Sequence, residues 1–190
     1  MKKYALMLVA AMFALAMVGC ASGSNSASES ESSAAEESSS AATETVVQGE
    51  IAWSDAKDAE AAAKDAGITN GFKVPGEPPI GDYKWAKPNF NAMDKIVEAH
   101  YNGGEVGVTI RKGQGIALKD LNADLNEYKA DWDQEVQGIK IACHGYEKGT
   151  ANFIEWEYED CAYNVWCVST GDGNIGMNEE EVAAMVEAIN

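Results

Sequence analysis

Basic side chains are scarce: 14 Lys and Arg stand against 31 Asp and Glu, and the 190-residue chain has a formal charge of −17. A protein so acidic repels phosphates instead of releasing their counterions, which excludes nucleic acid as a partner. Cysteine is sparse as well. Its four copies, at positions 20, 143, 161 and 167, contain no Cys-x-x-Cys pair, and zinc-finger architecture is excluded with it. Histidine occurs only as His100 and His144. Long apolar runs are missing except for one near the start of the chain.

That run is uncharged from Tyr4 to Val18, follows Lys2 and Lys3, and ends in Gly19-Cys20. A positive stretch, an apolar stretch and small residues predict a secretory signal. Met17-Val18-Gly19-Cys20 resembles the bacterial lipobox, although Met17 stands where Leu is more usual. In that motif the thiol is diacylated and the signal is cut so that the cysteine becomes the first residue. The expectation is a lipoprotein signal peptide over 1–19 and lipidation of Cys20, with the protein held on the extracytoplasmic face of the cell membrane. Two acyl chains, at about 0.8 kcal/mol per buried methylene, suffice for stable attachment. From residue 21 to 45 there are ten Ser, six Ala and five Glu, with no aromatic or large aliphatic side chain. Such a segment buries too little to offset its ordering entropy, so 20–45 reads as the lipidated cysteine followed by a disordered Ser/Ala/Glu tether. Its expected reach is roughly 25 to 30 Å.

Residues 46–190 read as a single α+β extracytoplasmic domain, net −14, with all five Trp. Ser54–Ala66 is predicted as a helix capped by Ser54 and stopped by Gly67. Prolines at 75, 78, 79 and 88 then forbid regular structure over most of the next stretch, leaving room for a short strand at Tyr83–Ala86. Period-two alternation follows in Val97–Tyr101, Val106–Arg111, Ile139–Cys143, Ile154–Glu159 and Tyr163–Cys167. Asn178 and Glu181 form a capping box ahead of Val182, Met185, Val186 and Ile189 at helical spacing. The predicted fold is a curved antiparallel sheet of five or six strands packed by N- and C-terminal helices.

The alanine-rich helix, Phe72-Lys73-Val74-Pro75, the Tyr101–Gly104 turn, Asn126-Glu127-Tyr128, Val136-x-Gly138, Trp156 on a strand and the run Gly176–Glu181 together resemble an uncharacterised extracytoplasmic domain. It occurs in Gram-positive bacterial lipoproteins and on the outer side of some anti-sigma-like membrane proteins. The resemblance spans roughly 55 to 190 and implies no established activity, so it carries no functional residues with it. The three domain cysteines are not part of its pattern.

Several constellations carry possible chemistry. A disulfide between two of Cys143, Cys161 and Cys167 is open, Cys143 being the favoured participant. If Lys148-Gly149 and Asp160-Cys161 are the turns, Ile154 faces both Cys143 and Cys167, which lie nearly 10 Å apart, too far to bond. Cys143 and His144, as strand neighbours, point to opposite faces and cannot serve as nucleophile and base for each other. Asp120, Asn122, Asp124, Asn126 and Asp131 resemble an EF-hand calcium loop, against which stand Leu125 at the glycine position, Glu127 at the eighth and an Asp at the twelfth. The competing reading is a polar loop or short helix with Leu118, Leu121 and Leu125 on its apolar side. Glu155, Glu157, Glu159 and Asp160 read as a solvated strand face. Of Trp53, Trp85, Trp132 and Trp166, the last alternates away from Val165 and Cys167. No cofactor and no catalytic residue is indicated.

The resulting expectation is a membrane-anchored lipoprotein with a non-enzymatic binding or sensing module, its partner an unknown envelope protein or small ligand. The alternatives are a carrier of a lipid or other hydrophobic ligand, and a hydrolase. Cys20→Ser should abolish acylation and move the protein from the membrane fraction to the soluble one, as read by intact mass and fractionation.

Overall fold

Strand alternation between Ile96 and Ser169 dictates most of the architecture. The computed structural model describes residues 52–122, 124–171 and 174–190. The signal segment 1–19, Cys20 and the tether to residue 45 lie outside the described residues. In chain order the elements are β1 Ser54–Ala56, α1 Ala59–Asp65, β2 Asn89–Met93, β3 Ile96–Asn102, β4 Val106–Gln114, α2 Leu118–Leu121, β5 Ala130–Val136, β6 Ile139–Gly145, β7 Phe153–Tyr158, β8 Cys161–Ser169 and α3 Glu179–Ile189. The strands form one antiparallel sheet in the order β1-β2-β3-β4-β8-β7-β6-β5. Two four-stranded meanders therefore meet at β4 and β8, and the segment from β4 carries the chain to the far edge before β5 to β8 return. The fold is sheet-rich α+β.

The strand count exceeds the expected five or six. At the amino end, Ser54 does not cap a helix; Ser54–Ala56 pairs with Phe90–Ala92, and the Ser54 hydroxyl donates to the Ala92 carbonyl at 3.1 Å. Asp58 caps α1 instead, accepting from the Ala61 N–H at 2.8 Å. The helix ends as predicted at Gly67, whose φ is +69°. Bonds from Ile68 to the Ala63 carbonyl and from Gly67 to that of Lys64 close a Schellman motif. β2 and β5 are the other additions, while Tyr83–Ala86 is not a strand.

One sheet face is buried under α1 and α3. Ala62 and Ala63 from α1, its C-cap Ala66, and Val182, Met185, Val186 and Ile189 from α3 join Val97, Ala99, Val108, Ile110, Ile141, Ile154, Trp156 and Val165 in one core. The alanines let α1 sit close to the sheet. For α3 the capping box forms as expected, with the Asn178 side chain accepting from Glu181 N–H at 3.0 Å and the Glu181 carboxylate accepting from Asn178 N–H at 2.9 Å. Lys112 lies within this core at 4% exposure, its ammonium donating to the Gly71 carbonyl at 2.7 Å and lying 5.3 Å from the centroid of Tyr163. Residues 47–190 make up one compact unit that contains this core.

The cysteine geometry departs from expectation at one turn. Lys148-Gly149 does turn the chain between Glu147 and Thr150, and Cys143 faces Ile154. The next turn is Glu159-Asp160, not Asp160-Cys161, so Ile154 faces Val165 and Cys167 moves two residues along to face Val108. Cys143, Cys161 and Cys167 are free, buried thiols, and no pair among them forms a disulfide. Burial pushes the Cys143 and Cys167 thiols up to about 12, with Asp133 and Glu181 adding respectively to the effect. Residues 46–190 should thus have one intact mass with and without reductant, and the three thiols should react with a thiol reagent only after denaturation.

Candidate functional site

The second sheet face carries the polar alternates. Strand register aligns them in rows that cross the sheet. One row runs Asn89, His100, Thr109, Trp166, Phe153, His144, Asp131 from β2 to β5. Its neighbour runs Asp55, Asn91, Glu98, Arg111, Asn164, Glu155, Ala142, Asp133 across all eight strands. Among the described residues an apolar cover forms at one corner of this face, where Ile96, Leu121 and Ala162 pack with Met93, Ile116 and Leu118. Leu118 and Leu121 are used as the sequence suggested, but Leu125 is 96% exposed and belongs to no apolar side.

In the middle of the face Arg111 is held on every side. Its Nε donates to Glu98 Oε1 at 2.5 Å, its Nη2 pairs with the same oxygen, and its Nη1 donates to the Leu121 carbonyl at 2.7 Å. The Trp166 and Trp53 rings lie 5.0 and 5.6 Å from the guanidinium carbon. Glu98 Oε2 also meets His100 Nε2 at 2.9 Å, and His100 Nδ1 lies 3.0 Å from Thr109 Oγ1. Burial pushes the Glu98 carboxyl up, but His100 and Arg111 outweigh it and hold the group below its ordinary value.

Thr109, His100 and Glu98 form a hydroxyl, imidazole and carboxylate chain of the kind a hydrolase uses. Thr109, however, lies mid-strand in β4, whose backbone N–H groups are committed to β3 and β8 on its two sides, and is 7% exposed. Its own strand offers no free amides for an oxyanion hole. The two histidines, four strand spacings apart in their row, are separated by about 19 Å and cannot act on one bond. His144 and Cys143 do fall on opposite faces.

Toward β5 the same face opens into a cavity of about 520 Å³ lined by Asn122, Asp124, Asn126, Glu127, Tyr128, Asp131, His144, Phe153 and Glu155. Alternation on β5, β6 and β7 supplies Asp131, His144, Phe153 and Glu155, and the loop after α2 supplies the rest. Tyr128 and Phe153 lie parallel within 2°, their centroids 6.4 Å apart, with Tyr146 tilted against Tyr128 at 5.5 Å. His144 Nδ1 is 2.7 Å from Asp131 Oδ1; its buried Nε2 is 3.5 Å from Glu155 Oε1, too long for a good hydrogen bond, and has no other partner. Burial raises the Glu155 carboxyl above its ordinary value, and His144 only partly offsets that. Burial also raises the Tyr128 phenol, reinforced by Asp124, which accepts its O–H.

Of the candidate calcium residues, Asn122, Asp124, Asn126 and Asp131 line this cavity and Asp120 does not. Asn122 accepts from Asp124 N–H at 2.7 Å, Asp124 accepts from Asn126 N–H at 3.0 Å, and Asp131 belongs to β5. The loop's oxygens are turned on its own amides. Among the described residues no group of three or more His, Cys, Asp or Glu could hold a metal ion. Glu157 and Glu159 are exposed as a solvated face requires, whereas Glu155 is half-buried in the cavity wall. Trp166 and Trp53 bracket Arg111, Trp132 packs at the core margin, and Trp85 meets Tyr83 and Tyr101 edge-on. Sequence reasoning missed the Glu98–Arg111 pair and Tyr128. The i and i+2 placement of Glu98 and His100 on one strand was a signal for part of the first. Comparison with protein-family models, with curated proteins and with solved structures finds no match.

Glu98→Ala leaves a buried guanidinium unpaired and should lower stability by about 3–5 kcal/mol in urea denaturation at neutral pH. Because folding depresses the Glu98 carboxyl, its contribution is full above the unfolded value near 4.5 and disappears as pH falls through the folded one. The variant's stability should therefore depend less on pH than the parent's below that value.

Proposed function

We propose that this chain is a membrane-anchored, extracytoplasmic bacterial lipoprotein whose α+β domain is a non-enzymatic binding or sensing module, working through its open sheet face. The lipobox-like Met17–Cys20 stretch and the acidic tether motivate the anchor, and the same sequence features keep the likeness to the Gram-positive lipoprotein domain as part of this proposal. The observation that carries the binding reading is the contrast between the faces. One is filled by α1 and α3; the other is closed over Glu98, Thr109 and Asn164, all three buried, and opens toward β5 into a cavity walled by Asn122, Asp124, Asn126, Glu127, Tyr128 and strands β5–β7.

That contrast weighs against the alternatives. A carrier of hydrophobic ligands needs an open apolar face, and here the apolar face is the one covered. A hydrolase needs an activated nucleophile beside oxyanion donors, and Thr109 has its neighbouring amides paired. A binding surface needs only shape and a few convergent polar groups.

Hydrogen exchange of residues 46–190 with a small-molecule extract of a Gram-positive envelope provides the test. Exchange should slow in β6, β7 and the loop after α2, with the extract's composition unchanged. Slowing confined to α1 and α3, or consumption of an extract component, would refute this reading.

A further inference from the structure

We infer that the cavity beside Tyr128, Phe153 and Glu155 receives a guanidinium or ammonium group from a ligand. This rests on the reading of the open face as a binding surface and names its ligand class.

The molecule already shows how this face accommodates a cation. Arg111 is gripped by a buried carboxylate, a backbone carbonyl and two indole rings. In the cavity the same kinds of group recur, with the imidazole of His144 between Asp131 and Glu155 where the first site has a guanidinium. Glu155 shares the cross-sheet row of Glu98 and Arg111, and Phe153 stands directly opposite Trp166. The half-buried ring of Tyr128 lies parallel to that of Phe153, which is itself only 2% exposed. Both aromatic faces and carboxylates attract a positive charge, and the rings do so best when it is partly desolvated.

The lining has the matching sign. Asp124, Glu127, Asp131 and Glu155 are four carboxylates, and among the described residues no Lys or Arg lines the cavity. An ordinary solvated face would leave its acids in water, yet the Glu155 side chain is only 19% exposed, and the nearby His144 Nε2 lacks a hydrogen-bond partner. A half-buried carboxylate whose nearest basic group is an imidazole at 3.5 Å is expensive to ionise unless a further positive group comes to it. The acids do not converge closely enough for a metal ion. A delocalised or alkylated cation does not require that convergence, since rings satisfy part of its surface. Such a ligand should favour ionised Glu155, so that binding strengthens as pH rises through the titration of this carboxyl.

The test is a two-dimensional amide NMR titration of residues 46–190, which contain the compact unit 47–190 and its core. The probes are L-argininamide, butylammonium, the capped peptide acetyl-Gly-Arg-Gly-amide, and N-acetylglucosamine as a neutral control. At least one cation should give saturable shifts confined to β6, β7 and residues 124–128. Glu155→Gln and Tyr128→Leu should each weaken that binding by about tenfold, the loss of one charged or ring contact. Glu157→Gln, exposed on the same strand and outside the cavity, should leave it unchanged. Undisturbed resonances from α3 verify that each variant is folded. Tighter binding of the peptide than of argininamide assigns the cation to a partner's side chain; equal or weaker binding assigns it to a free small molecule. Non-saturating shifts spread over the acidic surface, insensitive to Glu155→Gln, overturn the inference. Saturable binding of N-acetylglucosamine alone overturns the ligand class but keeps the binding face, and silence from all four probes counts against both.

Discussion

The register between β4 and β8 is the constraint on which everything else depends. Nine residues on each strand, from Val106 opposite Ser169 to Gln114 opposite Cys161, join two meanders that are otherwise local hairpins. Because successive side chains alternate, a slip of one residue along either strand would exchange its faces, turning Arg111 and Trp166 into the helix-packed core and Ile110 and Val165 out of it. The pairing is non-local, so loop-closure entropy must be overcome before it forms. What disfavours the one-residue slips is that they would bury a guanidinium among aliphatic side chains.

The Glu98–Arg111 pair reinforces that choice from the other side of the sheet. Its charges are removed from most solvent but provided with hydrogen bonds: Glu98 has Arg111 and His100, and Arg111 also has the Leu121 carbonyl. Through Leu121 the pair ties α2 to the sheet, and the chain leaving α2 forms the loop that walls the cavity. Asn164 Nδ2 reaches the same carbonyl at 3.4 Å, while its Oδ1 has no partner. A polar network at the sheet's centre thus positions an otherwise irregular segment at its edge, linking core register to the proposed binding surface.

Much of this was legible in the sequence where local periodicity decided the outcome. The strands at Val97, Val106, Ile139, Ile154 and Tyr163 announced themselves by alternation, and α3 by its capping box. The Lys148-Gly149 turn also fell where expected. The failures arose where two local readings competed and a distant partner settled the matter. Ser54 is a good helix cap, but Phe90–Ala92 offered it a strand. Trp132, Gln134 and Val136 alternate with acids, yet Asp131 had been absorbed into the calcium-like spacing that begins at Asp120. A two-residue shift at Glu159-Asp160 moved Cys167, since Asp-Cys and Glu-Asp are equally plausible turn pairs by composition. The cavity was hidden for the same reason: Tyr128, His144 and Glu155 come from separate segments, and only the register of β6 on β7 assembles them.

Which sheet face is covered decides where the binding surface lies, and oxidative footprinting read by mass spectrometry tests that most directly. Trp53 and Tyr146, at 40% and 43% exposure, should label rapidly on native residues 46–190, while Trp156, Met177 and Met185, at 1% or less, should remain unmodified until the chain unfolds. Comparable labelling of Trp156 and Met185 with Trp53 under native conditions would mean that the helices do not cover that face, and would contradict the account.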